Sequence, residues 1–400
     1  MRITALETVR PTVQPNLVFV LLHTDEGVSG LGEAFFAAGA VEAYLHDEVA
    51  PALLGTADPR PEPVARLLSP YVGFQGGGVE TRAVGAVDLA VWDLLGKQSG
   101  LPVVDLLGGA VRDRVRIYNT CAGSGYVRGT SRQESANWGV GSADRYEDLD
   151  AFLHRPGELA RELRDEGIGA MKVWPFDTGA ERTGGTDIRP DDLARGTAVL
   201  AAIRDTVGDD LDVMVELHGL WNRRAATTIC DAVAPYRPYW VEDPLRPDAV
   251  DALAALARDI DVPVATGETC VGRRGFAGLL SRGAVDVVTV DVQWTGGLTE
   301  ARKVASLADT YATPVAPHDC TGPVSLAACL HLVSASPNGL LQETVRAFLR
   351  TWYAEVVTGL PSVVDGHIAP TGAAGHGVAL SERLDDVRHA TRRMSTMEDQ

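Results

Sequence analysis

Beyond Arg116 the sequence settles into eight short apolar or β-branched runs: VRIYNT, GAMKVW, DVMVELHG, YWVEDP, PVATGE, VVTVDV, TPVAPH and GLLQET. Amphipathic stretches such as DDLARGTAVLAAIRDTVG and LTEARKVASLADTYA separate most of them. Strands alternating with helices build a parallel sheet, and about eight such units close into a (β/α)8-type barrel. An open doubly wound sheet is the competing arrangement, but no Gly-x-Gly-x-x-Gly follows an early strand. A barrel is the expected fold.

The first hundred residues read differently. Ile3 and Leu6 alternate, an apolar run spans Leu17 to Leu22, and a turn at Asp25-Glu26-Gly27 leads to a partner strand ending at Gly32-Glu33. In VETRAVGAVDLAVWDLLGKQSG the apolar residues recur every three to four positions, which predicts a helix stopped by Gly100 and Pro102. This is a small α+β unit ahead of the barrel. Between Thr120 and about Glu158 a polar, Gly-rich stretch follows the first barrel strand, so it emerges at the catalytic face as a lid or a passive insertion. The charged tail beyond about residue 385 is expected to fray.

Composition narrows the function. A chain of 400 residues, 45% hydrophobic, exceeds one typical domain. Its formal charge of −18, with no basic run, argues against nucleic acid and anionic membranes as partners. Five scattered cysteines show no zinc or disulfide spacing. No apolar stretch is long enough to span a bilayer and MRITALETVR lacks a signal-peptide pattern, so a cytoplasmic location is expected.

Three runs end in a carboxylate, Glu216, Glu242 and Glu268, at successive intervals of 26 residues. One βα unit apart, they stand side by side at the C-terminal mouth of neighbouring strands. Any one of them alone reads as a helix cap. Three in register repel one another unless a cation compensates, and all-oxygen ligands suit Mg²⁺. His318 ends the seventh run and Asp291 the sixth; a carboxylate beside an imidazole fixes its tautomer and prepares a general base. Lys172 and Trp174, two apart on the second strand, face the same way into the mouth. Lys172 can neutralise a bound carboxylate or serve as counter-ion to the glutamates. His218, two beyond Glu216, is a second titratable group able to donate a proton, and Glu343 closes the eighth run as a substrate contact or a structural acid.

The hairpin HTDEGVSGLGEAF, the helix DLAVWDLLGKQSGLPVVDLLGG, the three glutamates, DVQWTGGLTEARKVA and APHDCTGPVSLAACLHL together resemble the enolase superfamily, in its mandelate racemase-like acid-sugar branch and nearest to galactonate dehydratase-like members. The resemblance implies a modified (β/α)7β barrel at 115–360, an N-terminal capping domain at 1–114, and a segment 361–400 that packs back on the cap. It also implies one Mg²⁺ on Glu216, Glu242 and Glu268, a His318–Asp291 base dyad, Glu343 against the substrate carboxylate, and homo-oligomeric assembly. Two departures matter: the first ligand is Glu216 where the branch usually has Asp, and the second strand carries Lys172-Val-Trp174 where racemases have Lys-x-Lys. An indole cannot accept a proton, so a two-base racemase is disfavoured.

The expected activity is dehydration of a mono-acid sugar through an enediolate, with His218 protonating the departing β-hydroxyl. A cycloisomerase or epimerase using the same enediolate is the alternative, and a non-catalytic metal-binding protein of the same fold a lesser one. Substrate stereochemistry is expected to depend on residues 12–16 and 73–78, the segment after Thr120, and Trp174. Arg273, Arg274 and Arg346 are candidates to bind a distal acid group, with surface ion pairs the expected use.

Overall fold

The N-terminal strands β1 (Ile3–Pro11), β2 (Leu17–Thr24) and β3 (Ser29–Phe35) form an antiparallel sheet, and buried Leu6, Val18, Val20, Leu22 and Ala34 belong to the core that it shares with helix α1 (Val79–Ser99). Gly30 and Gly32 let β3 lie directly on that helix: a Cβ at either would overlap the carbonyl oxygens of Ala90 and Ala86. Gly100 ends α1 in the left-handed conformation, φ 69°, as its position in the sequence predicts. The computed structural model describes residues 1–69, 76–141 and 145–399. Residues 73–75, expected near the substrate, lie outside the described residues.

The barrel strands are β4 (Val115–Thr120), β5 (Ala170–Val173), β6 (Asp212–Glu216), β7 (Trp240–Glu242), β8 (Val264–Thr266), β9 (Val287–Val288) and β10 (Gln342–Thr344), all parallel, with β10 pairing back onto β4. The gap between β9 and β10 is filled by the seventh run, where Val315 bridges Val288 and Gly339 and His318 bridges Asp291. All eight predicted runs therefore occupy barrel positions. One main helix follows each of the first seven, α2 (Pro156–Asp165), α3 (Pro190–Val207), α4 (Arg223–Val233), α5 (Val250–Asp259), α6 (Gly272–Ser281), α7 (Leu298–Thr310) and α8 (Pro323–Ala335), with the shorter helices Asp148–His154 and Asp177–Thr183 besides. Among the described residues the only α-helices after β10 are the short Arg346–Arg350 and Tyr353–Val356, so the fold is a (β/α)7β barrel with an α+β cap.

One residue from each barrel position fills the interior: Tyr118, Ala170, Met214, Trp240, Ala265, Val287, Ala316 and Leu341. Large and small side chains mix around this ring, and each large apolar one contributes roughly 1.5–3 kcal/mol by leaving water. The plug is the floor of the site above it.

The tail does not fray. Ala390–Thr396 is a strand on the outer edge of the cap, antiparallel to β1 with Ala5 opposite Thr396. Its sequence, ATRRMST, has little apolar alternation because its outward face is exposed, which is why the pattern missed it. Before reaching the cap, the chain beyond residue 360 also touches the barrel base, where His367 pairs with Arg116. The stretch after Thr120 carries a 3-10 turn at Ser135–Asn137 and a helix at Asp148–His154. Among the described residues no helix is long and apolar enough to cross a membrane. All five cysteines are free thiols.

Candidate active site

Side chains alternate along a strand, so residues two beyond the plug point inward one layer higher. That layer contains Thr120, Lys172, Glu216, Glu242, His318 and Glu343, each two residues past Tyr118, Ala170, Met214, Trp240, Ala316 and Leu341. The chemistry thus follows from the same period that built the floor.

Glu216, Glu242 and Glu268 each offer a carboxylate oxygen within 4.8 Å of the others. Burial pushes the Glu242 and Glu268 carboxyls up, with neighbouring carboxylates adding to it. At Glu216 burial acts the same way, but His218 and Lys172 outweigh it and hold that group low. Three buried acids that close cannot all stay ionised without a cation. Glu216 Oε1 accepts from His218 N at 2.7 Å, while the buried Oε2 has no hydrogen bond and meets Lys172 Nζ only as an ion pair at 3.4 Å. A buried anionic oxygen with no hydrogen bond, in a cluster with two other carboxylates that share one ammonium, fits a hard divalent cation such as Mg²⁺, and the longer Glu in place of Asp still reaches the cluster.

Two imidazoles flank the triad. His318 Nδ1 lies 2.9 Å from Asp291 Oδ2, and its Nε2 lies 3.3 Å from Glu268 Oε2. Asp291 is oriented in turn by the Gln293 and Trp294 amides, which donate to Oδ1 at 2.7 and 2.8 Å. His218 has the same arrangement: Nδ1 is 2.8 Å from Asp177 Oδ2, and Nε2 is 3.2 Å from Gln133 Nε2. Burial lowers both imidazoles, but facing carboxylates win. Asp177 and Glu216 hold His218 at about 10, and Glu268 and Glu343 hold His318 well above its usual value. A cation on the triad would offset the Glu268 contribution and return His318 toward neutrality, while Asp177 continues to favour the charged form of His218.

Lys172 is fully enclosed by acids. Its Nζ lies 2.9 Å from Glu242, 3.0 Å from Glu343 and 3.4 Å from Glu216. Glu343 also accepts from the Thr120 hydroxyl and, at 2.8 Å, from the Asp319 amide. Burial would raise the Glu343 carboxyl, but Lys172 and His318 hold it at about 2.

Thr120, Lys172, Glu216, His218, Glu268 and His318 open onto a cavity of about 280 Å³, lined also by Trp174, Phe36 and Arg82, with Glu242 and Glu343 set behind them. Trp174 is buried against Phe152 and Tyr126, with its indole N–H unpaired. Tyr126, Val127, Ser131 and Gln133 bring the long segment to the cavity wall, and Asn16 of the cap ties it down by donating to Val127 O at 2.5 Å. A wider groove of about 690 Å³ holds Arg273 and Arg274 beside Glu300, away from both histidines. Arg346 corrects the expectation of a surface ion pair: it is buried between Asp148 and Glu162, held in by charge-assisted bonds, and is not a cavity residue.

Sequence reasoning missed Asp177, Thr120 and Arg82. Asp177 lies three residues past Trp174, and a carboxylate just beyond a strand end was the available signal. Thr120 was legible by the same period-two count that found Lys172. Arg82 sits on α1 of the cap, where no local pattern reveals that it meets the barrel. Its guanidinium lies 5.3 Å from the Trp294 ring, which stacks on His318, and it has no ion pair among the described residues.

Comparison with known proteins places this arrangement. Residues 3–108 match the mandelate racemase / muconate lactonizing enzyme N-terminal domain, and residues 156–384 match the enolase C-terminal domain-like family. A D-galactonate dehydratase from Ralstonia nicotianae is 32% identical over 392 residues, covering 96% of this chain and 93% of the relative. One from Pectobacterium atrosepticum is 30% identical over 395 residues with the same coverage. The crystal structure of an enolase of the mandelate racemase subgroup from Agrobacterium tumefaciens superposes with a TM-score of 0.88 at 41% identity over 100% of both chains. An enolase protein from Sargasso Sea environmental sequence gives 0.86 at 40% identity over 99% of both. On the fold, the two matched domains and these relatives together, the chain belongs to the enolase superfamily, in the mandelate racemase / muconate lactonizing enzyme family.

Proposed function

We propose that the protein is a Mg²⁺-dependent hydro-lyase that dehydrates a mono-acid sugar to a 2-keto-3-deoxy acid. The observation that carries the proposal is the pair of imidazoles, His318 and His218, each held through Nδ1 by a carboxylate and each turning Nε2 toward one cavity beside the glutamate triad. Dehydration needs a base at the α-carbon and an acid at the β-hydroxyl, and this inventory supplies one of each.

Glu216, Glu242 and Glu268 would hold the cation, which would supply positive charge against the negative charge that builds up at the substrate carboxylate. His318 takes the α-proton on Nε2. Its Nδ1–H donates to Asp291, which leaves the Nε2 lone pair available and stabilises the imidazolium that forms. His218, paired with Asp177, gives the proton that lets the β-hydroxyl leave as water, and the enol product tautomerises to the keto acid. Lys172 keeps Glu343 ionised and partly offsets the burial of Glu242 without offering a base, since its ammonium is already shared among acids. Trp174 supplies no base on the opposite face, in keeping with elimination over racemisation. Arg82 contacts the far hydroxyls of the sugar chain.

The relatives named D-galactonate dehydratase support this reaction class. The test is a screen of Mg²⁺-loaded protein against an acid-sugar library, with semicarbazide detection of 2-keto-3-deoxy products and His318→Asn as control. A keto product from an aldonate, lost in the variant, is expected. Solvent deuterium entering the α-carbon without a keto product, or opening of an anhydro-sugar acid, would overturn dehydration in favour of an epimerase or cycloisomerase.

A further inference from the structure

Glu33 stands on β3 of the cap, fully buried, yet among the described residues every hydrogen-bond partner of its carboxylate belongs to the barrel. Its Oε2 accepts from Val324 N at 3.0 Å and its Oε1 from Ser325 N at 2.7 Å. These are the first free amides of α8, because Pro323 at the start of that helix has no N–H. A carboxylate spanning the open amides of a helix N-terminus is favoured by both hydrogen bonding and the helix dipole. Gly322 permits the approach, since a Cβ there would press on the carboxylate. Helix α8 begins five residues after His318.

The same carboxylate reaches the other half of the dyad. Gln293 Nε2 donates to Glu33 Oε1 at 3.2 Å and also to the Ser325 hydroxyl, while Gln293 Oε1 accepts from Phe35 N at 2.7 Å. The amide nitrogen of Gln293 is one of the two donors that orient Asp291, at 2.7 Å. Glu33 and Gln293 therefore tie one cap strand to the helix that follows His318 and to the turn that holds Asp291. Every group in this network is buried.

We propose that Glu33 and Gln293 are positioning residues: a clamp between the two domains that sets the alignment of His318 with Asp291, so that the cap contributes to proton abstraction as well as enclosing the substrate. The inference rests on the reading of His318 and Asp291 as the base dyad. Interdomain docking alone is a separable effect, because Asp88 makes a comparable cap-to-barrel bond, accepting from Thr299 N in the first turn of α7 at 2.8 Å, and touches neither dyad residue nor Gln293.

The experiment compares Glu33→Gln and Gln293→Met with Asp88→Ala in the Mg²⁺-loaded full chain. Glu33→Gln turns one acceptor into an amide NH₂ facing a backbone donor, and Gln293→Met keeps volume while removing the bridge. The first readout is the ¹⁵N imidazole spectrum, with His318 assigned by its Asn variant. The second is kcat and KM on whichever acid sugar the library screen identifies, and the third is the melting temperature. A displaced His318 signal and a fall in kcat on the order of 10-fold, with KM held within about 2-fold, are expected for the clamp variants, because small misplacements of a reacting group cost rate before they cost binding. Asp88→Ala should lower only the melting temperature. If the clamp variants lose stability while the His318 signal and kcat stay unchanged, or if Asp88→Ala moves the His318 signal equally, the clamp is overturned. Should the wild type turn over no acid sugar, the dehydratase reading falls, and the His318 signal still decides the clamp.

Discussion

Lys172 Nζ lies 3.0 Å from Glu343 Oε1, and through that contact the acid on the last barrel strand is joined electrostatically to the glutamate triad. Strand β5 lends one buried ammonium to three carboxylates on three other strands. Removing a partner from a buried ion pair costs roughly 3–5 kcal/mol, since the charges left behind are uncompensated. Lys172→Met should therefore lower the melting temperature sharply in metal-free protein, with added Mg²⁺ recovering part of the loss. An unchanged melting temperature would mean that the three acids do not depend on this ammonium.

The convergence of Glu216, Glu242 and Glu268 predicts a metal response. Mg²⁺ at 100 times its dissociation constant should stabilise the wild type by about 2.7 kcal/mol, and EDTA should reverse the gain. Glu242→Gln removes one of the converging charges and should abolish most of the shift. Differential scanning calorimetry with and without the ion checks both.

The two imidazoles should separate into two steps. His318→Asn is expected to stop α-proton exchange with solvent deuterium and to lower dehydration by about 10²–10⁴-fold. His218→Gln is expected to lower dehydration over a similar range while leaving α-exchange measurable by NMR. Equal loss of exchange in both variants would sink the division of labour.

Arg82, half-buried over Trp294 without an ion pair among the described residues, is predicted to bind the far end of the substrate. Arg82→Met keeps the stacking volume and should raise KM several-fold with a smaller change in kcat. The reverse pattern would place the guanidinium at the reacting end.

Asp88 makes a pH prediction. Burial raises its carboxyl from the usual 3.8 to about 7, and its Oδ1 has no hydrogen-bond partner. Between those two values the folded chain binds this proton and the unfolded chain does not. The stabilisation is therefore present at low pH and lost as pH rises toward 7, by at most about 4 kcal/mol. Asp88→Asn stays neutral throughout, so relative to the variant the wild type should lose stability between pH 5 and pH 8. Urea titrations at the two pH values measure it.

Much of the site was legible because strand periodicity is local. Runs one βα unit apart placed Glu216, Glu242 and Glu268 side by side, and the period of two aimed Lys172 and Trp174 into one mouth. The geometry confirms that these residues converge, because a closed parallel barrel leaves strand ends nowhere else to point. Lys172 was read with two possible uses, and its three acidic neighbours favour the counter-ion.

What the sequence determined by itself was the set of elements and the order of chemical groups around the ring, since both follow from hydrophobic periods of a few residues. Tertiary structure decided everything that depends on segments far apart in the chain. The strand Ala390–Thr396 exists because β1 has an open edge to pair, although its own residues carry no strand pattern. Asp177 meets His218, Arg82 meets Trp294, and Glu33 meets Gln293 and α8 only when the cap closes on the barrel and the loops pack. No local period encodes such contacts, because they are fixed by the burial of polar groups that must find partners across the domain boundary.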